Sequence, residues 1–255
     1  MSTLADELGA APFELILSSG FFGFFAHTGV VSALEELGLR PAAVGGSSAG
    51  ALVAGLWGAG LPAAAIRDRL FRLKRTDFWD PDPLFWWRGG VLRGERFAAL
   101  LEEALAPTKV ALLEECPTPV RVVAFDVARR QAVALSTGSL TSAIRASCCV
   151  PAMFQPTRIG SRRFLDGGIT DRPGILAASE NVKVLYHHLP ATSPWRRFTP
   201  RQNQAPKRAG LTMLCEPTLP RLSPFHLERG PQAYELAYRM TRRALQTRAA
   251  THSQP

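Results

Sequence analysis

The hydrophobic pattern opens with a nearly continuous apolar run, Phe13-Glu14-Leu15-Ile16-Leu17, closed by Ser18, which predicts a buried first strand. A loop of glycine and phenylalanine follows over Ser19 to Gly23. From Ala26 to Gly38 the period becomes helical: Val30, Val31, Leu34 and Leu37 share one face, and Gly38 supplies the stop. Ala42 to Gly45 predicts a second, short strand, and Ser48 to Gly60 a second helix of small and apolar residues. Pro62 opens a third helix that runs through Leu73. Strand, helix, strand, helix with short links implies parallel pairing and right-handed crossovers.

The pattern then breaks. Between Asp77 and Gly90 the large apolar residues Phe78, Trp79, Leu84, Phe85, Trp86 and Trp87 crowd around Pro81 and Pro83 without a clean period, so a loop or short insertion is expected. The cluster fits a satellite core beneath a lid, or a patch that meets a bilayer at headgroup level. Periodicity returns as a helix from Gly94 to Leu105 and strands at Val120–Val127 and Gln131–Ser136 around a tight turn at 128–130. A short helix follows at Leu140–Ala146, then a strand ending at Phe164-Leu165 and another at Val182–His187. Residues 190–232 are rich in proline and arginine and are expected to be loosely ordered. Tyr234 to Ala250 predicts an amphipathic helix, with Leu236, Met240 and Leu245 set against Arg239, Arg242, Arg243 and Arg248.

Three segments carry candidate chemistry. Gly46-Ser47-Ser48-Ala49-Gly50 sits between a predicted strand and a predicted helix, the context of a nucleophile elbow. Gly46 and Gly50 flank Ser48 because the turn is tight and side chains there would collide with neighbouring backbone. The Ser48 N–H is expected at a helix N-terminus, where developing negative charge is favoured. Asp166-Gly167-Gly168 puts an acid at a strand end, with glycines that let another backbone or a substrate approach it. The loop Ser19 to Gly23 follows the first strand, with backbone N–H groups expected to point toward the same end of the sheet as Ser48. All three segments fall at the carboxyl ends of strands, where ligands of parallel sheets sit. A histidine-containing triad would need His187, His188 or His226, which follow the acid. Paired histidines at a strand end are more often structural, and His27 is expected to pack or to bond a loop.

In these motifs the chain resembles the patatin-like phospholipases, over roughly residues 13–190. The resemblance rests on Leu17-Ser18-Ser19-Gly20 through Ala26-His27-Thr28-Gly29-Val30, on the elbow, on Arg145 through Phe154, and on Asp166-Gly167-Gly168 with Asp171 and Pro173 beyond. It implies a three-layer α/β/α fold with a mainly parallel sheet, and a Ser48–Asp166 dyad acting on lipid acyl esters without metal or organic cofactor. Asp166 would take the Ser48 proton directly, with no intervening histidine. One stretch departs from the family: its glycine triplet followed by a basic residue is here Ser19-Gly20-Phe21-Phe22-Gly23. The resemblance implies that the backbone N–H groups of Gly20, Phe21 and Phe22 form the oxyanion hole, and loss of one aligned donor costs about 2.7–4 kcal/mol in the barrier. The alternative reading is therefore a patatin-fold protein that binds lipid with weakened turnover. Phe21, Phe22, Phe24 and Phe25 fit either an acyl pocket or the core.

Composition refines this picture at three points. At 255 residues the chain suits one large domain or two small ones, with a core that needs no staple. Residues 13–190 are expected to form the hydrolase core, with 191–255 packed on the same domain. The formal charge is +9, and residues 191–255 hold eleven basic and three acidic side chains, so the excess is concentrated there. That suits peripheral contact with an anionic membrane. Nucleic acid is the weaker partner, because no nucleic-acid motif accompanies the charge. Cys116, Cys148, Cys149 and Cys215 fit no metal spacing and are expected as thiols. The sequence lacks a basic-then-apolar leader near Met1 and any long apolar span, so a cytoplasmic protein is expected. No feature sets an oligomeric state.

Overall fold

The structure is a computed structural model that describes residues 2–190 and 206–247. Five parallel strands form the centre in the spatial order β10 (Leu211–Cys215), β9 (Lys183–His188), β1 (Phe13–Leu17), β2 (Ala43–Ser47) and β4 (Val120–Asp126). Beyond β4 the sheet turns antiparallel through β8 (Arg162–Asp166) and β7 (Thr157–Ile159). A further strand, β5 (Gln131–Leu135), pairs antiparallel with β4 on its other edge. The architecture is the mainly parallel α/β/α arrangement that the motifs imply.

Alternation along β1 builds the layers. Phe13, Leu15 and Leu17 point into the large core with α2 (Phe24–Glu36), α3 (Ala49–Gly58) and α9 (Gly230–Gln246). Ile16 points the other way, to a smaller cluster with Val123, Val184, Tyr186 and Ala177, the last from the short helical turn Ile175–Ala177. Glu14 shares that second face and is buried. It accepts hydrogen bonds from Ser179 and Arg121, which hold its carboxyl below the usual range despite desolvation.

Several elements differ from the sequence expectation. The stretch 211–215, expected to be loose, is the edge strand β10, and α9 begins at Gly230 because Pro231 sits in its first turn, where a missing N–H does no harm. A helix not foreseen, α1 (Leu4–Ala10), starts from a reciprocal cap between Thr3 and Asp6. The aromatic insertion contains two single-turn helices, α5 (Arg75–Phe78) and α6 (Phe85–Arg88), and β3 (Gly90–Leu92), which pairs with β6 (Ala152–Phe154). The remaining helices are α4 (Ala63–Arg72), α7 (Glu95–Leu105) and α8 (Leu140–Ser147). The side chains of Phe85 and Trp86, residues 191–205, and the expected helix end at 248–250 lie outside the described residues. Among the described residues no helix is long and apolar enough to cross a membrane.

Candidate active site

Register on β4 brings the two candidate residues together. Ser47, the last residue of β2, pairs with Val123, and Asp166, the last residue of β8, pairs with the next residue, Ala124. Because β5 occupies the other edge of β4 over 122–126, β2 and β8 meet head-on along one edge. Their ends deliver Ser48 and Asp166 to the same place, although 117 positions separate 48 from 166 in the chain.

The elbow is held from both sides. Ser48 adopts φ 54°, ψ −120°, a conformation that a non-glycine residue holds only where its surroundings impose it. A Cβ at Gly46 would lie 2.3 Å from the Leu17 carbonyl oxygen, and one at Gly50 2.1 Å from the same atom. Only glycine at both positions lets the turn rest on the end of β1. The Ser48 N–H, expected to face the developing charge, instead donates to Ser147 Oγ at 2.8 Å, and that hydroxyl donates to the Val123 carbonyl at 2.6 Å. Ser147 is therefore a brace between the elbow and β4, and nothing in the sequence pattern singles it out.

Asp166 is 6% exposed. Its carboxylate accepts a hydrogen bond from the Gly168 N–H at 2.8 Å, and the Ser48 hydroxyl lies near enough to stabilise its charge. Burial pushes its carboxyl up to about 6, against the stabilising pull of the Ser48 hydroxyl and the Gly168 N–H. The segment after it is fixed by Asp171, whose carboxylate accepts from the N–H groups of Gly174, Ile175 and Leu176 at 3.1, 3.2 and 2.9 Å. A Cβ at Gly167 would meet the Val123 carbonyl oxygen at 2.3 Å, and one at Gly168 would meet Ser19 Oγ at 2.5 Å. The glycines thus bring the acid against both β4 and the start of the loop after β1.

That loop is anchored by a buried histidine pair. His27 Nε2 bonds the Ser18 carbonyl at 2.8 Å, and His27 Nδ1 meets His187 Nδ1 at 2.8 Å. Since a carbonyl only accepts, His27 carries its proton on Nε2, so His187 donates from Nδ1. Desolvation holds His27 down to about 4 and His187 well below its usual range, so both are neutral. Both are committed to the loop, and His188 bonds the Tyr186 hydroxyl while His226 pairs with Glu228. The geometry brings none of the four to the dyad. Among the described residues, no acceptor bonds the N–H of Gly20, Phe21 or Phe22, nor that of Ala49 at the start of α3. Phe22 sits at φ 56°, the position where the loop most needs glycine.

Ser48 and this loop open onto a cavity of about 620 Å³, walled by apolar residues of α3, α4 and α7, such as Leu52, Leu56, Ile66, Leu70, Phe97 and Leu101. Phe21, Phe22 and Phe24 line it, whereas Phe25 is core and packs under Gly230. Phe78 closes one side and lies 5.8 Å from Phe22, ring centroid to ring centroid. Cys148 also lines the cavity, with its thiol on the Ser48 carbonyl at 3.3 Å, and all four cysteines are free thiols. Burial raises the Cys148 thiol well above its ordinary range and Cys149 to about 12, so neither is a nucleophile. Among the described residues no cluster of side chains could hold a metal ion.

Comparison with known proteins agrees with this arrangement. An "uncharacterized NTE family protein" of Mycobacterium tuberculosis is 33% identical over 157 residues, covering 62% of this chain and 42% of the relative. A second such protein from the same organism is 27% identical over 187 residues, covering 71% of this chain and 31% of the relative. The chain thus spans less than half the length of the mycobacterial relatives it matches. Among solved structures, VipD from Legionella pneumophila superposes with a TM-score of 0.53 at 16% identity, over 92% of this chain and 66% of that one. The type III effector ExoU superposes with a TM-score of 0.54 at 16% identity, over 92% of this chain and 53% of its own. These two similarities establish the fold. The family model for patatin-like phospholipase matches residues 15–179. With the elbow, the acid after β8 and the sheet order already in place, that match makes the chain a member of the patatin-like phospholipase family.

Proposed function

We propose that the protein is a serine lipid acyl hydrolase working through Ser48 and Asp166. The observation that carries the reading is the convergence of Ser48, at the edge of an apolar cavity, with the buried Asp166 carboxylate, which strand register on β4 brings to the same point. The ester carbonyl lies over Ser48, with the acyl chain in the cavity. Asp166 takes the hydroxyl proton as Ser48 Oγ bonds to the carbonyl carbon, and the negative charge collects on the carbonyl oxygen. The N–H groups of Gly20, Phe21, Phe22 and Ala49 are the candidate donors to that oxygen. When the tetrahedral intermediate collapses, the proton passes from Asp166 to the departing alkoxide and an acyl-Ser48 ester remains. Water then gives a proton to Asp166, attacks the acyl carbon and releases the fatty acid, and Ser48 regains its proton. The lipid substrate brings peripheral contact with an anionic membrane.

A positive φ at Phe22, in a loop without the family's glycine triplet, favours a second reading: a lipid-binding protein with little turnover. Hydrolysis of p-nitrophenyl butyrate separates the two. The wild type should turn over, Ser48→Ala should fall to background, and Asp166→Asn should lose about 10²–10⁴ in rate, the usual contribution of a general base. Each variant should keep the wild-type circular dichroism. Full activity in either variant removes the dyad, and an inactive wild type that still binds fatty acid favours the second reading.

A further inference from the structure

The chain leaves the cavity wall after Phe78, travels outward, and returns to the wall at Arg96. Its base is pinned. The Asp80 carboxylate accepts from the N–H groups of Gly94, Glu95 and Arg96 at 3.0, 2.7 and 3.1 Å, which fastens the outgoing strand to the first turn of α7. Asp82 is 3% exposed and accepts from the Leu84 N–H, from Gln155 Nε2 and from Arg88 at 2.9, 2.7 and 3.2 Å. Pairing of β3 with β6 fixes the returning strand, and β6 itself supplies Met153 and Phe154 to the cavity.

A tip secured this firmly nonetheless presents Leu84 at 53% and Trp87 at 90% exposure. A tryptophan that open, on a braced support, indicates a contact surface rather than a failed core. Its charge surroundings define the partner. Asp77, Asp80 and Asp82 turn their carboxylates onto backbone N–H groups and Asp82 also pairs with Arg88, so among the described residues the exposed cations over 72–88 without an ion pair are Arg72, Lys74 and Arg75. Arg72 also lines the cavity, and Arg75 stacks on Phe225, itself 65% exposed. Exposed apolar side chains on a segment that also carries unpaired cations match the headgroup zone of an anionic bilayer, where tryptophan rings settle and phosphates meet basic side chains. The basic C-terminal helix suits this less: Arg239 is paired with Glu235, and Arg242 with Glu36.

We propose that the 79–92 tip is a membrane anchor that inserts Leu84 and Trp87 into the headgroup layer of an anionic bilayer and seats the Ser48 cavity against it. The proposal rests on the lipid reading of the site, but its test does not use turnover. Wild type, Trp87→Phe and the double variant Leu84→Ser/Trp87→Ser are sedimented with phosphatidylcholine vesicles, with and without phosphatidylglycerol, and p-nitrophenyl butyrate hydrolysis is followed in parallel. Wild type should partition more strongly onto the vesicles containing phosphatidylglycerol. The double variant should partition about tenfold or more weakly, as expected for losing two large apolar side chains. Trp87→Phe should retain most of the binding, and all three should hydrolyse the soluble ester equally. Wild-type partitioning by the double variant overturns the anchor and points to a protein partner for Trp87. Equal binding to both vesicle types overturns the role of the cations. If no form hydrolyses the soluble ester while the partitioning follows the expected order, the hydrolase reading fails and the anchor stands.

Discussion

Asp166 is where burial, hydrogen bonding and chemistry meet. A carboxyl held at about 6 accepts the Ser48 proton only above that pH, so kcat/KM for a soluble ester should fall with a one-proton slope below about pH 6. The same group affects stability in a defined direction. Folding raises it from 3.8, so between those values the native state binds more protons than the unfolded chain. Stability therefore falls as pH rises through that window and stays lower above it. The gap corresponds to roughly 2–3 kcal/mol. Asp166→Asn should then be more stable than wild type by up to that amount in urea at pH 8, with the gain vanishing near pH 4, even as activity is lost. A variant less stable than wild type at pH 8 would show that the buried charge is not a burden. Ser48 and Asp166 were legible in the sequence as candidates, because the glycines beside them mark tight backbone and the proposed acyl chemistry would restrict residue type at both positions. The loop-bonding role of His27 and a structural role for His187 were expected, but Ser147 and the bond between the two histidines were not, because a brace needs only a polar atom at the right point in space.

At the level of elements, glycines decide which pieces can approach. Gly50 lies so close to the Leu17 carbonyl that Gly50→Ala forces β1 and α3 apart, and a cost of about 1–3 kcal/mol is expected from overpacking. Gly29 performs the same service between α2 and α9, where an added Cβ would lie 2.3 Å from the Tyr234 carbonyl oxygen. Alanine is better than glycine in a helix by about 1 kcal/mol, yet the collision is with backbone that cannot swing away. Gly29→Ala should therefore destabilise the fold in urea denaturation while Gly50→Ala also abolishes ester hydrolysis; a Gly29→Ala protein more stable than wild type would contradict this packing. The first strand, the first helix and the elbow were readable because their apolar runs and glycine stops agree with what the tertiary structure asks of them. Strand β10 was not, since Leu211–Cys215 is short, lies among prolines, and takes its conformation from pairing with β9. Antiparallel β8 was legible as a strand but not in direction, which is set by β4.

Across the whole molecule, one sheet serves two ends. Its parallel strands carry the elbow and the loop after β1, and its antiparallel extension returns Asp166 to them from the opposite direction. The apolar cavity, the braced loop and the exposed tip all extend from that junction. The central claim is that Ser48 is a nucleophile activated by Asp166, and a fluorophosphonate probe followed by intact-protein and peptide mass spectrometry tests it most directly. One adduct on Ser48 is expected in the wild type, formed more slowly in Asp166→Asn and absent in Ser48→Ala; an adduct elsewhere, or equal labelling rates in wild type and Asp166→Asn, would contradict it.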